Sequence, residues 1–331
     1  MAGAVASGRL PLGVLVAGPQ GVGKQRLAVW LAQLLQCERP SGEPCGACRS
    51  CRQVESLQHP DVHWFVPLEP SKKAADAEKQ VELVAEALAE EMAARRAQPA
   101  YAPPSGLASH SIAAVRLLLR RLVMTPVAGT RKIFIVGDAE RLIPQRGTED
   151  AANALLKALE EPPADTVLIL TASQPNALLP TILSRIVLVR VARLSDSAMT
   201  AFAQRTLRVA SKEELTQRVN AAEGCLGKLL ATQGARAAGM DHADRFLAAP
   251  MAYALGQVPF QARGGFTDML DALAGRLRTQ AKSGGETEKL VEAIALVMDA
   301  RELAQGNVNP QLLAAVLAGD FAQRVGGVAP S

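Results

Sequence analysis

The sequence has few aromatic side chains, no long apolar run and only a mild excess of positive charge. Aromatic residues make up 3% of its 331 residues against 49% hydrophobic residues, so the apolar content is mainly Ala, Leu and Val. This composition favours helices over a β-sandwich or β-barrel, and the length suits two or three domains. No apolar run reaches the roughly 18 residues that span a bilayer. A net charge of +4 does not by itself indicate nucleic-acid binding.

Cysteine is also scarce, but four of the five cysteines are clustered. Cys37, Cys45, Cys48 and Cys51 have the spacing C-x7-C-x2-C-x2-C, in which each C-x2-C turn brings two thiolates to one side of an ion. We predict a structural Zn²⁺ site without a position for a catalytic water, because all four ligands are thiolates. Disulfides are the alternative and would need an oxidising compartment. The remote Cys225 is interpreted as a small buried apolar residue.

Short, mainly apolar runs predict the strands of a sheet, at 12–17, 59–67, 132–136, 166–171 and 186–191. Segments with helical periodicity separate them, at 25–36, 69–96, 111–122 and 149–160. This alternation predicts a parallel, doubly wound α/β sheet. The charged, Ala-rich segment and the Pro/Gly/Ser-rich stretch after it, together residues 69–109, are interpreted as an insertion in a loop. From about residue 194 onward only helical segments remain, so the second half is predicted to be all-α.

A glycine-rich loop lies between the first predicted strand and the first predicted helix. It reads Gly18-Pro-Gln-Gly-Val-Gly-Lys24 and fits the phosphate-loop pattern G-x-x-x-x-G-K-[ST] except at its last position, which is Gln25. Gly18, Gly21, Gly23 and Lys24 are candidate phosphate-binding residues, because glycines let backbone N–H groups wrap phosphates and the lysine adds positive charge. Gln25 lacks the hydroxyl that would coordinate Mg²⁺. A glycine turn with a chance lysine is the alternative.

A second nucleotide-handling element is altered after the predicted strand 132–136. A P-loop hydrolase places an Asp for Mg²⁺ and then a Glu to orient water at this point, whereas this chain has Gly137-Asp138. Two independent elements are thus changed together. We therefore predict that neither ATP nor Mg²⁺ is productively bound, although phosphate binding can persist.

Two stretches closely resemble the most recognisable block of bacterial clamp-loader subunits, which have the AAA+ fold. They are Ala151-Ala-Asn-Ala-Leu-Leu-Lys-Ala-Leu-Glu-Glu-Pro-Pro163 and Leu179-Pro-Thr-Ile-Leu-Ser-Arg-Ile186. The phosphate loop, the cysteine knuckle and the later helices occur in the order that this family implies. The resemblance covers most of the chain and is weakest in 69–109 and after about residue 240.

The resemblance implies three domains: an AAA+ α/β domain at 1–188 with the zinc-binding knuckle (37–51) and the variable insertion (69–109), a helical lid at 189–237 and a helical collar at 238–331. It also implies assembly with the gamma/tau and delta subunits of the DNA polymerase III clamp loader. The sliding clamp (beta) and primed DNA would be reached through that complex. A cytoplasmic location without membrane association is expected.

Within this family, the departures point to a subunit that does not hydrolyse ATP. Gly227 occupies the place where hydrolysing members have a nucleotide-sensing arginine. The Ser-Arg of the family's Ser-Arg-Cys motif persists as Ser184-Arg185, with Ile186 in place of the cysteine. Arg185 is expected to be an arginine finger in the ATP site of a neighbouring gamma/tau subunit, and a structural arginine paired with a carboxylate is the alternative. An ATP-hydrolysing gamma/tau-type subunit is the alternative function.

Contact with DNA rests on one helix of the α/β domain. Arg116 is the candidate phosphate contact there, with Arg120 and Arg121 nearby, although solvated helix faces also carry arginines. A free-standing zinc-dependent DNA-binding protein is disfavoured because the knuckle is embedded in an ATPase-like pattern and lacks a basic recognition helix.

Overall fold

The computed structural model describes residues 10–69, 76–97, 108–143, 149–207, 211–230, 233–256, 263–282, 287–304 and 308–325, with isolated positions 3, 5, 101 and 104. The backbone divides into two compact units. The first comprises Met1–Ala102 with Ala108–Leu230, and the second comprises Pro103–Leu107 with Ala231–Ser331. Most of the predicted Pro/Gly/Ser-rich stretch 98–109 lies outside the described residues.

Five parallel strands form the sheet of the first unit: β1 (Gly13–Ala17), β2 (Val62–Phe65), β3 (Lys132–Val136), β4 (Thr166–Ala172) and β5 (Val187–Arg190). Their order is β2-β3-β4-β1-β5, with every neighbouring pair parallel. The predicted parallel sheet is therefore confirmed, although the strand predicted at 59–67 is shorter. Every residue of β3 and β4 is buried, as expected of central parallel strands covered on both faces, and the one charged residue in them, Lys132, lies 3.5 Å from Asp165 Oδ1. All five carboxyl ends consequently lie at one edge of the sheet.

Three helices of the first unit lie within one residue of the predicted bounds 25–36, 111–122 and 149–160, whereas the helix predicted at 69–96 is observed at Ala77–Ala97. The helices of this unit are α1 (Lys24–Gln36), α2 (Arg49–Glu55), α3 (Ala77–Ala97), α4 (Ile112–Leu122), α5 (Asp150–Glu160), α6 (Pro180–Leu183), α7 (Asp196–Thr206), α8 (Lys212–Ala222) and α9 (Leu226–Leu230). Ser111 caps α4 as predicted, since its Oγ accepts the N–H of Ala114 at 3.2 Å. Helices α7 to α9 enclose a small apolar core of their own, made of Met199, Ala203, Leu215, Val219, Ala222 and Leu229.

A buried carboxylate organises the turn between α4 and β3. Asp61 is 2% exposed, and its two oxygens accept the backbone N–H groups of Val127, Ala128 and Gly129 at 2.6, 2.8 and 2.7 Å. Burial raises the pKa of Asp61, but these three hydrogen bonds outweigh burial and the net pKa is lowered. The carboxylate therefore stays charged and fixes the turn that leads into β3.

The described part of the second unit is helical, as predicted. Its helices are α10 (Gln233–Ala248), α11 (Pro250–Leu255), α12 (Arg263–Lys282), α13 (Thr287–Ala304) and α14 (Pro310–Asp320), followed by a π-helical turn at Phe321–Val325. Phe246, Phe266 and Phe321 are buried in its core. Among the described helices of both units, none is long and apolar enough to cross a membrane.

Candidate functional site

The phosphate loop lies between the carboxyl end of β1 and the start of α1, the context that the pattern requires. Gly21 and Gly23 have φ values of 79° and 105°, a left-handed conformation that favours glycine. The N–H of Gly18 donates to the carbonyl oxygen of Ala172 at 3.2 Å, which holds the loop to the end of β4. The four predicted phosphate-binding residues are thus brought together in one loop.

Lys24 is directed into its own loop rather than toward solvent and is 5% exposed. Its Nζ donates to the carbonyl oxygens of Gly18 and Pro19 at 2.9 and 3.0 Å and to Ser173 Oγ at 2.9 Å. An ammonium has three protons, so these three bonds satisfy it within the protein. Burial lowers the pKa of Lys24, and nearby carboxylates oppose that shift. In this arrangement, groups of the protein occupy the three donor positions of the Lys24 ammonium that a bound phosphate would otherwise use.

The segment after α8 packs directly on the phosphate loop. The N–H of Gly227 donates to the carbonyl oxygen of Gly21 at 2.7 Å. A Cβ on Gly227 would lie 2.9 Å from the Cα of Gly21, a contact that side chains do not tolerate. Any side chain at position 227, including the arginine expected of hydrolysing relatives, would therefore have to displace the loop. The glycine here is a packing requirement of the closed arrangement.

Gln25 and Asp138 contact each other at the positions where a hydrolase would have a Mg²⁺ ligand and the Glu that orients water. Gln25 Nε2 donates to Asp138 Oδ2 at 2.7 Å, and Gln25 Oε1 accepts from Arg95 Nη1 at 2.9 Å. Asp138 has a left-handed φ of 48°, and its N–H donates to Thr171 Oγ1 at 3.0 Å. Burial raises the pKa of Asp138, opposed by the charges of Lys24, Arg141 and Arg95. The site is a closed network of protein groups.

Arg95 is a site residue that the sequence analysis missed. It comes from α3, within the segment interpreted as an insertion, and it is 6% exposed. A signal was available, because Arg95 lies seven residues after Leu88 and shares the buried face of α3 with Val81 and Val84. A charged residue on the apolar face of a helix indicates a specific buried partner.

The four clustered cysteines come together as predicted. Their Sγ atoms all lie within 4.8 Å of one another, and those of Cys45 and Cys51 are 3.9 Å apart. Four thiolates at the usual Zn–S distance of about 2.3 Å are roughly 3.8 Å from one another in a tetrahedron. All four are free thiols, so the disulfide alternative is not realised in this structure. The cluster is compact enough to hold a metal ion such as Zn²⁺.

Backbone hydrogen bonds shape the cysteine cluster. The N–H groups of Cys45, Cys48 and Cys51 donate to the sulfurs of Cys37, Cys45 and Cys48 at 3.3, 3.4 and 3.3 Å. Hydrogen bonds from the backbone of Ala47 and Cys48 lower the pKa of Cys45 to about 6, which favours the thiolate that a metal requires. Burial raises the pKa of Cys51. The fifth cysteine, Cys225, is 1% exposed and buried as predicted.

Arg185 follows α6 and precedes β5, at the amino-terminal edge of the sheet. Its Nη2 lies 2.9 Å from Glu160 Oε1, and its Nη1 donates to the carbonyl oxygen of Thr181 at 2.8 Å. The guanidinium is 36% exposed and lines an open cleft of about 280 Å³ together with Gly13 and Val187. In the isolated chain, then, Arg185 pairs with a carboxylate at the surface. A finger role requires this exposed pair to open when a neighbour binds.

The predicted basic face of α4 is reduced by pairing within the chain. Arg116 is exposed, whereas Arg120 forms a bidentate ion pair with Glu78 of α3. The guanidinium of Arg121 lies 5.9 Å from the ring centroid of Phe65 and is half-buried. DNA contact at Arg116 therefore stays a prediction that rests on one exposed side chain.

Fold and site together define the class. A phosphate loop on a parallel five-stranded sheet, with a cysteine cluster that extends from the end of α1 into α2, makes the first unit a P-loop-type α/β protein whose nucleotide loop is closed. The family model described as DNA polymerase III, delta subunit, matches residues 1–195. The chain belongs to this family.

Individual members of this family show which subunits the chain is similar to. The chain is 38% identical over 175 residues to DNA polymerase III subunit delta prime of Pseudomonas aeruginosa, covering 52% of this chain and 40% of the relative. It is 34% identical over 177 residues to the delta prime subunit of Bacillus subtilis, covering 54% and 41%. A gamma/tau subunit of Mycobacterium tuberculosis is 32% identical over 184 residues, covering 55% and 24%. The predicted resemblance to the clamp-loader subunits of DNA polymerase III is confirmed, and among them the chain is similar to delta prime. The chain spans about two fifths of the length of these delta prime relatives.

Proposed function

We propose that this chain is a delta prime-type subunit of a bacterial DNA polymerase III clamp loader and does not itself hydrolyse ATP. In that role it helps to load the sliding clamp (beta) on primed DNA in the cytoplasm, as a partner of gamma/tau and delta subunits. The observation that carries the proposal is the closed phosphate loop. Lys24 is bonded to the loop carbonyls of Gly18 and Pro19, and Gly227 is bonded to Gly21.

Closure opposes nucleotide binding energetically. A nucleotide would have to release the Gly21–Gly227 bond, worth about 1 kcal/mol, and the bonds of Lys24, worth about 1.5–3 kcal/mol each because the donor is charged. Because the Mg²⁺ ligands are missing, a bound nucleotide would gain little stabilisation from a metal ion to offset the loss of these hydrogen bonds. An Asp at position 137 would be crowded, since a Cβ on Gly137 would lie 3.2 Å from Trp64 Nε1 and 3.3 Å from Gln25 Nε2. These contacts favour delta prime over a working gamma/tau-type ATPase.

ATP hydrolysis by the purified full chain tests this proposal. We expect no hydrolysis above background and no binding of a fluorescent ATP analogue, with a gamma/tau subunit from the same organism as the positive control. A rate comparable with that of gamma/tau would show that the chain is a working ATPase instead.

We further propose that Arg185 acts in trans on the ATP site of an adjacent gamma/tau subunit. An arginine contributed by a neighbour stabilises charge that develops on the γ-phosphoryl oxygens during hydrolysis. Its position supports this role, because the guanidinium is held at the surface by Glu160 and Thr181 rather than buried. An exposed ion pair contributes only about 0–1 kcal/mol, so a phosphate of the neighbouring site can replace it at little cost.

The remaining assignments are also proposals. Cys37, Cys45, Cys48 and Cys51 would hold one structural Zn²⁺, and Arg116 would contact DNA phosphate. The domains would be 1–188, 189–237 and 238–331. The separate apolar core of α7 to α9 supports a lid, and the helical second unit supports a collar. The boundary between them fits better before α10, which begins at Gln233, than at 237.

A further inference from the structure

The buried guanidinium of Arg95 is held by an ion pair, a hydrogen bond and two aromatic rings. Its Nε pairs with Glu91 Oε1 at 2.8 Å, one turn earlier on α3, and its Nη1 donates to Gln25 Oε1 at 2.9 Å. The side chain is 6% exposed against 38% for its partner Glu91. A charge so fully withdrawn from water is stable only with fixed partners.

Aromatic rings complete the Arg95 site. The guanidinium carbon lies 4.8 Å from the ring centroid of Trp64 and 5.1 Å from that of Tyr101. Tyr101 Oη in turn accepts from Arg26 Nη1 at 3.0 Å. The chain has only two Trp and two Tyr, so one of each is placed against this one cation. Aromatic faces attract a desolvated cation strongly, which makes this a dedicated guanidinium site.

Gln25, which stands in place of one Mg²⁺ ligand, is hydrogen-bonded directly to Arg95. A P-loop ATPase holds Mg²⁺ with the residue after the loop lysine and with an Asp at the end of the third strand, where this chain has Gly137. Here the first position is Gln25, which accepts from Arg95 and donates to Asp138. Mg²⁺ requires an octahedral shell of oxygens, and a neighbouring guanidinium repels it. These residues therefore do not fit a magnesium ion.

We propose that Arg95 is an internal replacement for the divalent cation, delivered by α3 and linked through Gln25 to Asp138. The network then needs no bound cation, because the half-buried carboxylates have positive neighbours, which are Lys24, Arg95 and Arg141 for Asp138 and Lys24 and Arg141 for Glu140. The inference rests on the proposed non-hydrolysing function and extends it. It gives the segment 69–109, which was interpreted as an insertion, a definite role. Through Arg95, this segment supplies a positive charge to the network of Gln25 and Asp138.

Mn²⁺ binding in the absence of nucleotide tests the proposal, followed by electron paramagnetic resonance of the full chain. Gln25→Asp adds a second carboxylate beside Asp138, and with Arg95 in place we expect it to create no Mn²⁺ site. The double variant Gln25→Asp/Arg95→Met should create one. Removing a positive charge a few ångströms away should tighten Mn²⁺ binding by roughly a hundredfold or more. The thiolate cluster prefers softer metals and contributes the same background to every variant.

The control is Gln25→Asp/Arg96→Met, because Arg96 is the exposed neighbour of Arg95 on the same helix. It should bind no more Mn²⁺ than Gln25→Asp, and adding Asp138→Asn to the binding variant should abolish its site. The proposal is overturned if Gln25→Asp binds Mn²⁺ with Arg95 present, or if the folded double variant gains no site. Should Arg95→Met fail to fold by circular dichroism, Arg95→Gln replaces it, and Gln25→Asp alone still decides the first outcome. ATP hydrolysis by the wild-type chain would overturn the proposed function without deciding where Mn²⁺ binds.

Discussion

Replacing Lys24 by methionine separates a structural lysine from a phosphate-binding one. Lys24→Met keeps the aliphatic part of the side chain but leaves the carbonyl oxygens of Gly18 and Pro19 and the Ser173 hydroxyl without their donor. Hydrogen bonds from a charged donor are worth about 1.5–3 kcal/mol each, or roughly 4.5–9 kcal/mol for all of them before the cost of burying the ammonium. The lowered pKa of Lys24 shows that this burial cost is substantial. We expect a net loss of about 2–4 kcal/mol in the free energy of unfolding.

Urea unfolding followed by tryptophan fluorescence measures this loss, because Trp30 and Trp64 both lie in the first unit. Lys228→Met is the matched control. Lys228 Nζ lies 2.9 Å from Glu223 Oε2, and its side chain is 44% exposed, so its removal should cost less than about 1 kcal/mol. The reasoning is refuted if Lys24→Met is as stable as the control and the wild-type chain binds an ATP analogue that the variant does not. That result would mean that Lys24 binds a nucleotide phosphate rather than stabilising the fold.

Three further predictions concern the cysteine cluster, Arg185 and Asp61. Elemental analysis should find one Zn²⁺ per chain; Cys48→Ser should lose it while Cys225→Ser keeps it, and a metal-free reduced wild-type chain would contradict the site. In a reconstituted clamp loader, Arg185→Ala should lower DNA-stimulated ATP hydrolysis by about 10³-fold or more, while Glu160→Gln should not, and unchanged hydrolysis in an intact Arg185→Ala complex would remove the finger role. Asp61→Asn should lower the free energy of unfolding by about 2–3 kcal/mol at pH 7. Because the folded-state pKa of Asp61 is lowered, its contribution is present above the unfolded-state pKa and is lost as pH falls through the folded-state value, so wild type and variant should converge in acid. Parallel pH dependences would contradict this.

The parts of the fold that follow a local pattern could be predicted. The strand 132–136 was predicted with its observed bounds, because an apolar run rich in β-branched residues is typical of a buried parallel strand. The cysteine cluster was predicted because C-x2-C spacing constrains its own geometry. Ser111 was predicted as a cap from its position before an apolar stripe. In each case the determining interactions lie within a few residues along the chain.

Contacts between distant segments could not be predicted. Arg95 and Gln25 are 70 residues apart, and no periodicity links them. The pairing of Arg120 with Glu78, 42 residues away, likewise removed a charge that a helix pattern alone assigned to an exposed basic face. Side-chain partners of this kind depend on how α3 packs beside α4 and over the phosphate loop, which local propensity does not specify.

The sequence by itself determined that the chain has a phosphate loop without its magnesium ligands, a cluster of thiols and a parallel sheet, since each is encoded in residue type and short spacing. Only the tertiary structure decided what became of the loop. It placed the Gly227 N–H 2.7 Å from the Gly21 carbonyl oxygen and directed Lys24 to the carbonyl oxygen of Gly18 in the phosphate loop. It also placed Arg95 against Gln25. The physical reason is that a buried charge is stable only beside a partner, and the partner is chosen by the packing of segments far apart in the chain.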